Sequence, residues 1–183
     1  IKAANVLNNA QTSGFNGGDG VVLLSASHPT QNGNQSNVLS TAADLSETSL
    51  ESILIQISDM KDDRGLRIAA QGTQLIIPTA YQFVAERLLE SQLRTGTADN
   101  DINAIKAGGY LPQGYHIMRR LTDADAFFVQ TDVPDGLKMF QRSAMKKGME
   151  GDFETGNVRY KVRERYSFGV TDWRGVFGTE GAA

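Results

Sequence analysis

Three observations predict an α+β fold. One 18-residue stretch carries a helical apolar stripe. Two short apolar runs, Leu75-Ile76-Ile77 and Phe127-Phe128-Val129, have the length and composition of buried strands. A long C-terminal segment alternates between apolar and charged residues, with only Glu164 breaking the apolar parity. Helical and extended patterns interleave without a regular strand-helix-strand period, so helices and strands are expected to segregate.

Taken in order, Ala3, Leu7 and Ala10 lie at helical spacing with neither cap nor turn before them. They read as the last turns of a longer helix, so the chain is expected to be part of something longer. Residues 11–20 are rich in turn formers. Val21 to Leu24 is a short apolar strand, and 25–37 a polar surface loop. The helix is predicted over Thr48 to Gly65. Thr48 and Glu51 would form a capping box, and Leu50, Ile53, Leu54, Ile57 and Met60 line one face. Gly65 would end it, with Lys61 and Arg64 near the negative end of the dipole.

After the Leu75–Ile77 strand, Pro78 suits the first position of a second helix reaching about Leu93. Its buried face would comprise Tyr81, Val84, Ala85, Leu88 and Leu89, packed with the first helix in a common core. Residues 95–107 read as a polar loop. His116–Leu121 and Phe127–Thr131 are strands, joined by a hairpin turn at Thr122–Asp125. Asp135-Gly136 is a second turn signal. Residues 143–155 are mostly polar. In the final strand Val158, Tyr160, Val162, Tyr166 and Phe168 share one parity, with Arg159, Lys161, Arg163 and Arg165 on the other. A period of two gives each set its own face. The apolar set is expected inside a multi-stranded sheet, with the cations outside and answered by acids.

Composition narrows the function. The chain has no cysteine, so disulfides, thiolate zinc sites and a cysteine nucleophile are excluded. The net charge of −3 provides no global attraction to nucleic acid. No apolar run approaches the ~20 residues that span a bilayer.

Candidate chemistry is sparse. Ser25 or Ser27 with His28 could make a hydrolase pair, but no nucleophile elbow surrounds them. His116 opens a strand and has no histidine or cysteine neighbour. The acidic groups Asp59, Asp62, Asp63 and Asp99, Asn100, Asp101 lack the loop pattern of a calcium site. The Gly17–Gly20 run lacks the Lys-Ser/Thr of a phosphate loop. No catalytic residue, metal ligand or cofactor is therefore expected. The stronger candidate is a subunit interface: Arg159, Lys161, Arg163 and Arg165, whose like charges on one strand face need acids opposite, with Trp173 and Arg174 as a recognition tip.

Six short motifs occur in order: Ser25–Pro29 (Ser-x-x-His-Pro), Met60–Gly65, Leu75–Pro78, Asn100–Asn103, Phe127–Asp132, and Arg165–Gly169 with Asp172–Gly175. Together they resemble the major capsid proteins of tailed bacteriophages, nearest to the Mu-type head subunits. The resemblance implies a Hong Kong 97-type fold. Residues 1–13 would end a spine helix, 14–132 form an axial domain, 133–168 supply peripheral-domain strands, and 169–183 return to the axial domain. It also implies a structural, non-enzymatic shell subunit that builds an icosahedral head around double-stranded DNA. Its partners would be copies of itself in pentamers and hexamers, minor capsid or decoration proteins, and DNA held without sequence-specific binding, with no membrane. Its place would be the virion head, after assembly in the host cytoplasm. An encapsulin-like compartment shares that fold and is the alternative, with a Ser27/His28 hydrolase as the second.

Overall fold

Leu45, Leu50, Ile53 and Ile57 bury together, and that contact sets where the first long helix starts. In the computed structural model, which describes residues 2–12, 15–94 and 101–182, helix α2 spans Glu47–Ser58. The expected cap is displaced by two residues. Ser46 is the N-cap and accepts from the Ser49 N–H, while Ser49 Oγ accepts from the Ser46 N–H. This choice places Leu45 just outside the helix and Leu50 on its first inner turn, both in the core, where they staple the entry. The helix also ends seven residues before Gly65. Asp62 explains this: its Oδ1 takes the N–H groups of Arg64 and Leu66, so the backbone turns instead of continuing. Gly65 serves that turn with φ at 89°.

The central sheet has four strands in the order β4-β3-β5-β8: β3 Gly72–Ile77, β4 Tyr115–Ile117, β5 Phe127–Thr131 and β8 Val176–Thr179. β4 runs parallel to β3, and β5 is antiparallel to both β3 and β8. Leu75, Ile77, Phe127, Val129 and Phe177 point to one face. There they meet α2 and helix α3, Gln82–Glu90, which follows a 3₁₀ turn at Thr79–Tyr81. Val84 and Leu88 pack against this cluster, as the sequence predicts. Ile76, Phe128 and Val176 point to the other face, toward helix α1, Lys2–Asn8, and Leu23 and Leu24. A sheet covered on both sides explains the uninterrupted apolar runs.

Several connections differ from expectation. Val21–Leu24 is no strand; Leu23 and Leu24 are buried, and Val22 makes one bridge to Asn16. The polar loop holds a small hairpin, β1 His28–Thr30 with β2 Gly33–Gln35. Of the expected loop 95–107, residues 95–100 lie outside the described residues. Ala104–Gly108 forms a short helix, α4, capped by the Asn103 side chain. Thr122–Asp125 is no hairpin turn, because β3 lies between β4 and β5. The chain belongs to the α+β class.

The largest departure lies at 137–170. The segment read as polar is the second half of strand β6, Leu137–Gly151, which among the described residues pairs only with β7, Val158–Val170. The final strand thus sits in a two-stranded ribbon and not in a multi-stranded sheet. Asp135, with φ at 71°, turns the chain into it.

Candidate assembly surface

The ribbon register fixes what each face presents. Direct partners run from Leu137 opposite Val170 to Gly151 opposite Val158. Shifts between Gln141, Ser143 and Lys146 give β6 two extra residues against an unbroken β7. At the tip, Asp152 organises the turn. Its carboxylate accepts from the Glu154 N–H and the Thr155 hydroxyl, and its carbonyl accepts from the Gly156 N–H. Phe153 stands fully in solvent there.

One face of β7 carries Val158, Tyr160 and Val162, with Met149 directly opposite Tyr160. Sequence parity expects these side chains inside the protein. The structure leaves them outside: Tyr160 is 77% exposed, Met149 70% and Val162 64%. The reason is topological, because among the described residues none besides the ribbon's own buries this part of it. Only its foot is covered, where Phe168 and Val170 pack against the cluster of Val6, Leu7 and Leu23.

The other face is cationic. Arg159 lies opposite Glu150 and 3.7 Å from Asp152. Lys161 faces Gly148, Arg163 faces Lys146, and Arg165 faces Ser143. Lys161, Arg163 and Arg165 make no ion pair among the described residues. Among the described residues the expected answering acids are therefore present for Arg159 alone. Residues 137–170 hold eight Lys and Arg against four Asp and Glu, a net of +4; the rest of the chain holds ten against seventeen, a net of −7. Charge is segregated between ribbon and body.

Trp173 and Arg174 are not an exposed recognition tip. They form a 3₁₀ turn capped by Asp172, and their side chains are turned inward, Trp173 5% exposed and Arg174 9%. The Trp173 ring stacks on His28 at 4.3 Å. Arg174 is held by Asp63 at 2.6 Å, Asp172 at 3.5 Å and the Lys61 carbonyl at 3.1 Å. These bonds satisfy a guanidinium that burial would otherwise penalise. Both residues act within the subunit in this structure.

The hydrolase pair is not assembled. His28 is fully buried with Nδ1 on Asp19 and Nε2 on Asn37, and Ser27 Oγ accepts from Asn34 instead. The first acidic group has structural tasks: Asp59 pairs with Arg67, Asp63 with Arg174, and Asp62 holds its turn; of the second group, Asp99 and Asn100 lie outside the described residues. Among the described residues no group of three or more metal-ligating side chains converges. Burial pushes the Tyr81 phenol up, and the nearby Asp44, Asp125 and Asp123 carboxylates add to this. Burial, then the charge of Asp123, raises the carboxyl of Glu180.

Sequence reasoning missed Asp19 and Asn37, which lie in polar loops without a pattern, and the exposed role of Met149. The turn residues Asp152 to Gly156 between two extended halves were the available signal for the ribbon.

A family model described as phage capsid protein matches residues 1–178. The chain belongs to this family. No curated protein matches. Among solved structures, the chain is similar to a virus-like particle from Pyrococcus furiosus, at 12% identity and a TM-score of 0.44, covering 78% of this chain and 55% of that one. It is similar to a structure of Mycobacterium phage Che8 at 17% identity and a TM-score of 0.43, covering 79% and 54%. A third likeness is the capsid of an empty GTA particle, at 12% identity and a TM-score of 0.45, covering 98% and 64%. The chain thus spans between about half and two thirds of the length of these structures.

Proposed function

We propose that this protein is a structural subunit of a phage head, working through summed interfaces between its copies and without catalysis. Membership of the capsid family over residues 1–178 carries this reading. The ribbon supports it, since it presents an exposed apolar face and a cationic face that its own chain leaves largely uncovered and unpaired. Contiguous apolar surface rimmed by charge is the usual mark of a protein interface. Arg159, Lys161, Arg163 and Arg165 are the proposed contact residues, their partners being carboxylates on the acidic body of a second copy. Opposite charge at such a surface sets register and partner choice.

In this reading the fold is of the Hong Kong 97 type. Residues 1–13 close a spine helix, 14–132 are the axial domain, 133–168 the peripheral strands, and 169–183 return to the axial domain. The subunit stands in pentamers and hexamers of the virion head, and minor capsid or decoration proteins are further partners. It encloses double-stranded DNA without sequence-specific binding, after assembly in the host cytoplasm. The ion pairs and turns that occupy the acidic residues, and the sequestered His28, support a structural role.

Sedimentation of the purified protein across a concentration series tests this. Concentration-dependent growth into large particles, weakened by salt, is the expected result. A monomer at every concentration and ionic strength would contradict it.

A further inference from the structure

The ribbon carries its charge unevenly along its length. Residues 149–157, at the far end, hold Glu150, Asp152 and Glu154 with no Lys or Arg, a net of −3 inside a ribbon of net +4. Phe153 projects from the middle of this acidic turn, its whole side chain in solvent. Two of the carboxylates have a neighbour in the ribbon: Asp152 lies 3.7 Å from Arg159, and Glu150 is directly opposite it. Glu154 makes no ion pair among the described residues. The near end has the opposite character. Where α1 meets the ribbon, its cover is incomplete and leaves an open groove of about 240 Å³, room for one aromatic ring. Val6 and Leu7 are buried in it, Met118 and Phe168 half-buried, and Leu137 and Met139 exposed. Lys138 also lines it and is already paired with Asp135. Met118 leads directly into Arg119 and Arg120, both exposed and without an ion pair among the described residues.

We infer that the ribbon tip of one copy seats in the foot groove of another, Phe153 entering between α1 and Met139 while Glu154 meets the Arg119–Arg120 pair. This rests on the reading of the protein as a self-associating subunit, and it adds a contact separate from that of the mid-ribbon cations. An exposed aromatic ring and an exposed apolar groove both leave water when they join. Aromatic residues anchor the cores of protein interfaces, and flanking opposite charges fix the register.

A chain cannot make this contact with itself. Met139 and Phe153 lie at opposite ends of the same paired ribbon, and at ~3.3 Å per residue they stand on the order of 45 Å apart. The strand pairing from Leu137 opposite Val170 to Gly151 opposite Val158 holds them there. Tip against tip is opposed by charge, −3 facing −3, and foot against foot sets arginines together. Each copy therefore offers one tip and one groove, and the contact runs head to tail. Repeated by a rotation that closes, such a contact makes a ring.

Photo-cross-linking tests it in the full chain. Benzoylphenylalanine in place of Phe153 keeps an aromatic ring at an exposed site, so folding is undisturbed. The sedimenting fraction is irradiated, separated by size under denaturing conditions and mapped by mass spectrometry. The expected product has the size of two chains and joins the tip to peptides holding Val6 and Leu7, Met118 or Met139. Glu154→Arg in the cross-linker chain should lower the yield several-fold, and Arg120→Glu on the receiving chain should restore it. Cross-links between two tips, cross-links to the four-stranded body outside the groove, or none at all in sedimenting particles would overturn the inference and leave the shell reading standing. A yield unchanged by Glu154→Arg would overturn the charge pairing. A protein that neither sediments as particles nor cross-links would remove both readings.

Discussion

The four-stranded body and the two-stranded ribbon use the same kinds of residue to opposite ends. In the body Leu75, Ile77, Phe127 and Val129 are all buried, because helices cover one sheet face and α1 with Leu23 and Leu24 covers the other. In the ribbon Met149, Val158, Tyr160 and Val162 stand in solvent on a single face. Alternation in a sequence states that two faces differ. It does not state that the apolar face is buried by the same chain. Where the chain's own elements are used up elsewhere, an alternating strand marks a surface for another molecule.

This contrast can be broken most severely from the body side. Phe127→Ala should cost about 3–5 kcal/mol of folding stability, since it empties a fully buried site between sheet and helices. Urea denaturation gives the value; a loss below about 1 kcal/mol would mean that the body is not the folding core.

A smaller effect is expected where the two regions meet. A Cβ on Gly136 would lie 2.8 Å from the Gly175 Cα, closer than packed carbon atoms allow. Gly136→Ala should cost about 1–3 kcal/mol as the backbones separate. Hydrogen exchange should then speed up at the ribbon foot and the Trp173–Gly175 turn, while β3 and β5 remain protected.

The smallest effect concerns Glu180. Its carboxyl is raised by burial and by the charge of Asp123, so the folded state holds that proton more readily than the unfolded chain. Its contribution is therefore present in acid and falls as pH rises through the raised value. Glu180→Gln removes that fall. The variant should melt slightly above the parent at neutral pH and converge with it in acid.

Much of the body was legible because its signals are local. The Leu50-Ile53-Leu54-Ile57 stripe and the runs at 75–77 and 127–129 fall where the structure places them. The cap moved from Thr48 to Ser46 because burial of Leu45 outweighs the Thr48–Glu51 pairing, a tertiary effect that the local pattern does not contain. The hairpin β1–β2 is polar throughout and hung on side-chain bonds from His28 and Gln35, so periodicity was blind to it. The second half of β6 shows only as a mostly polar stretch, because Lys146, Lys147, Gly148 and Gly151 interrupt any alternation, and its pairing partner lies beyond a turn. Trp173 and Arg174 suit an interface or a core equally by type. The stack on His28 and the bonds to Asp63 and Asp172 decide it, and each joins residues far apart in sequence.

The central claim is that the ribbon serves association and the body serves folding. Arg163→Glu tests it most directly, because Arg163 is exposed, faces Lys146 across the ribbon and has no acidic partner in its own chain among the described residues. Particle yield is measured by sedimentation and normalised to the folded fraction from thermal melting. The account predicts a stability change within about 0.5 kcal/mol and a yield several-fold below the parent at equal folded fraction. A yield that simply tracks the folded fraction would contradict it.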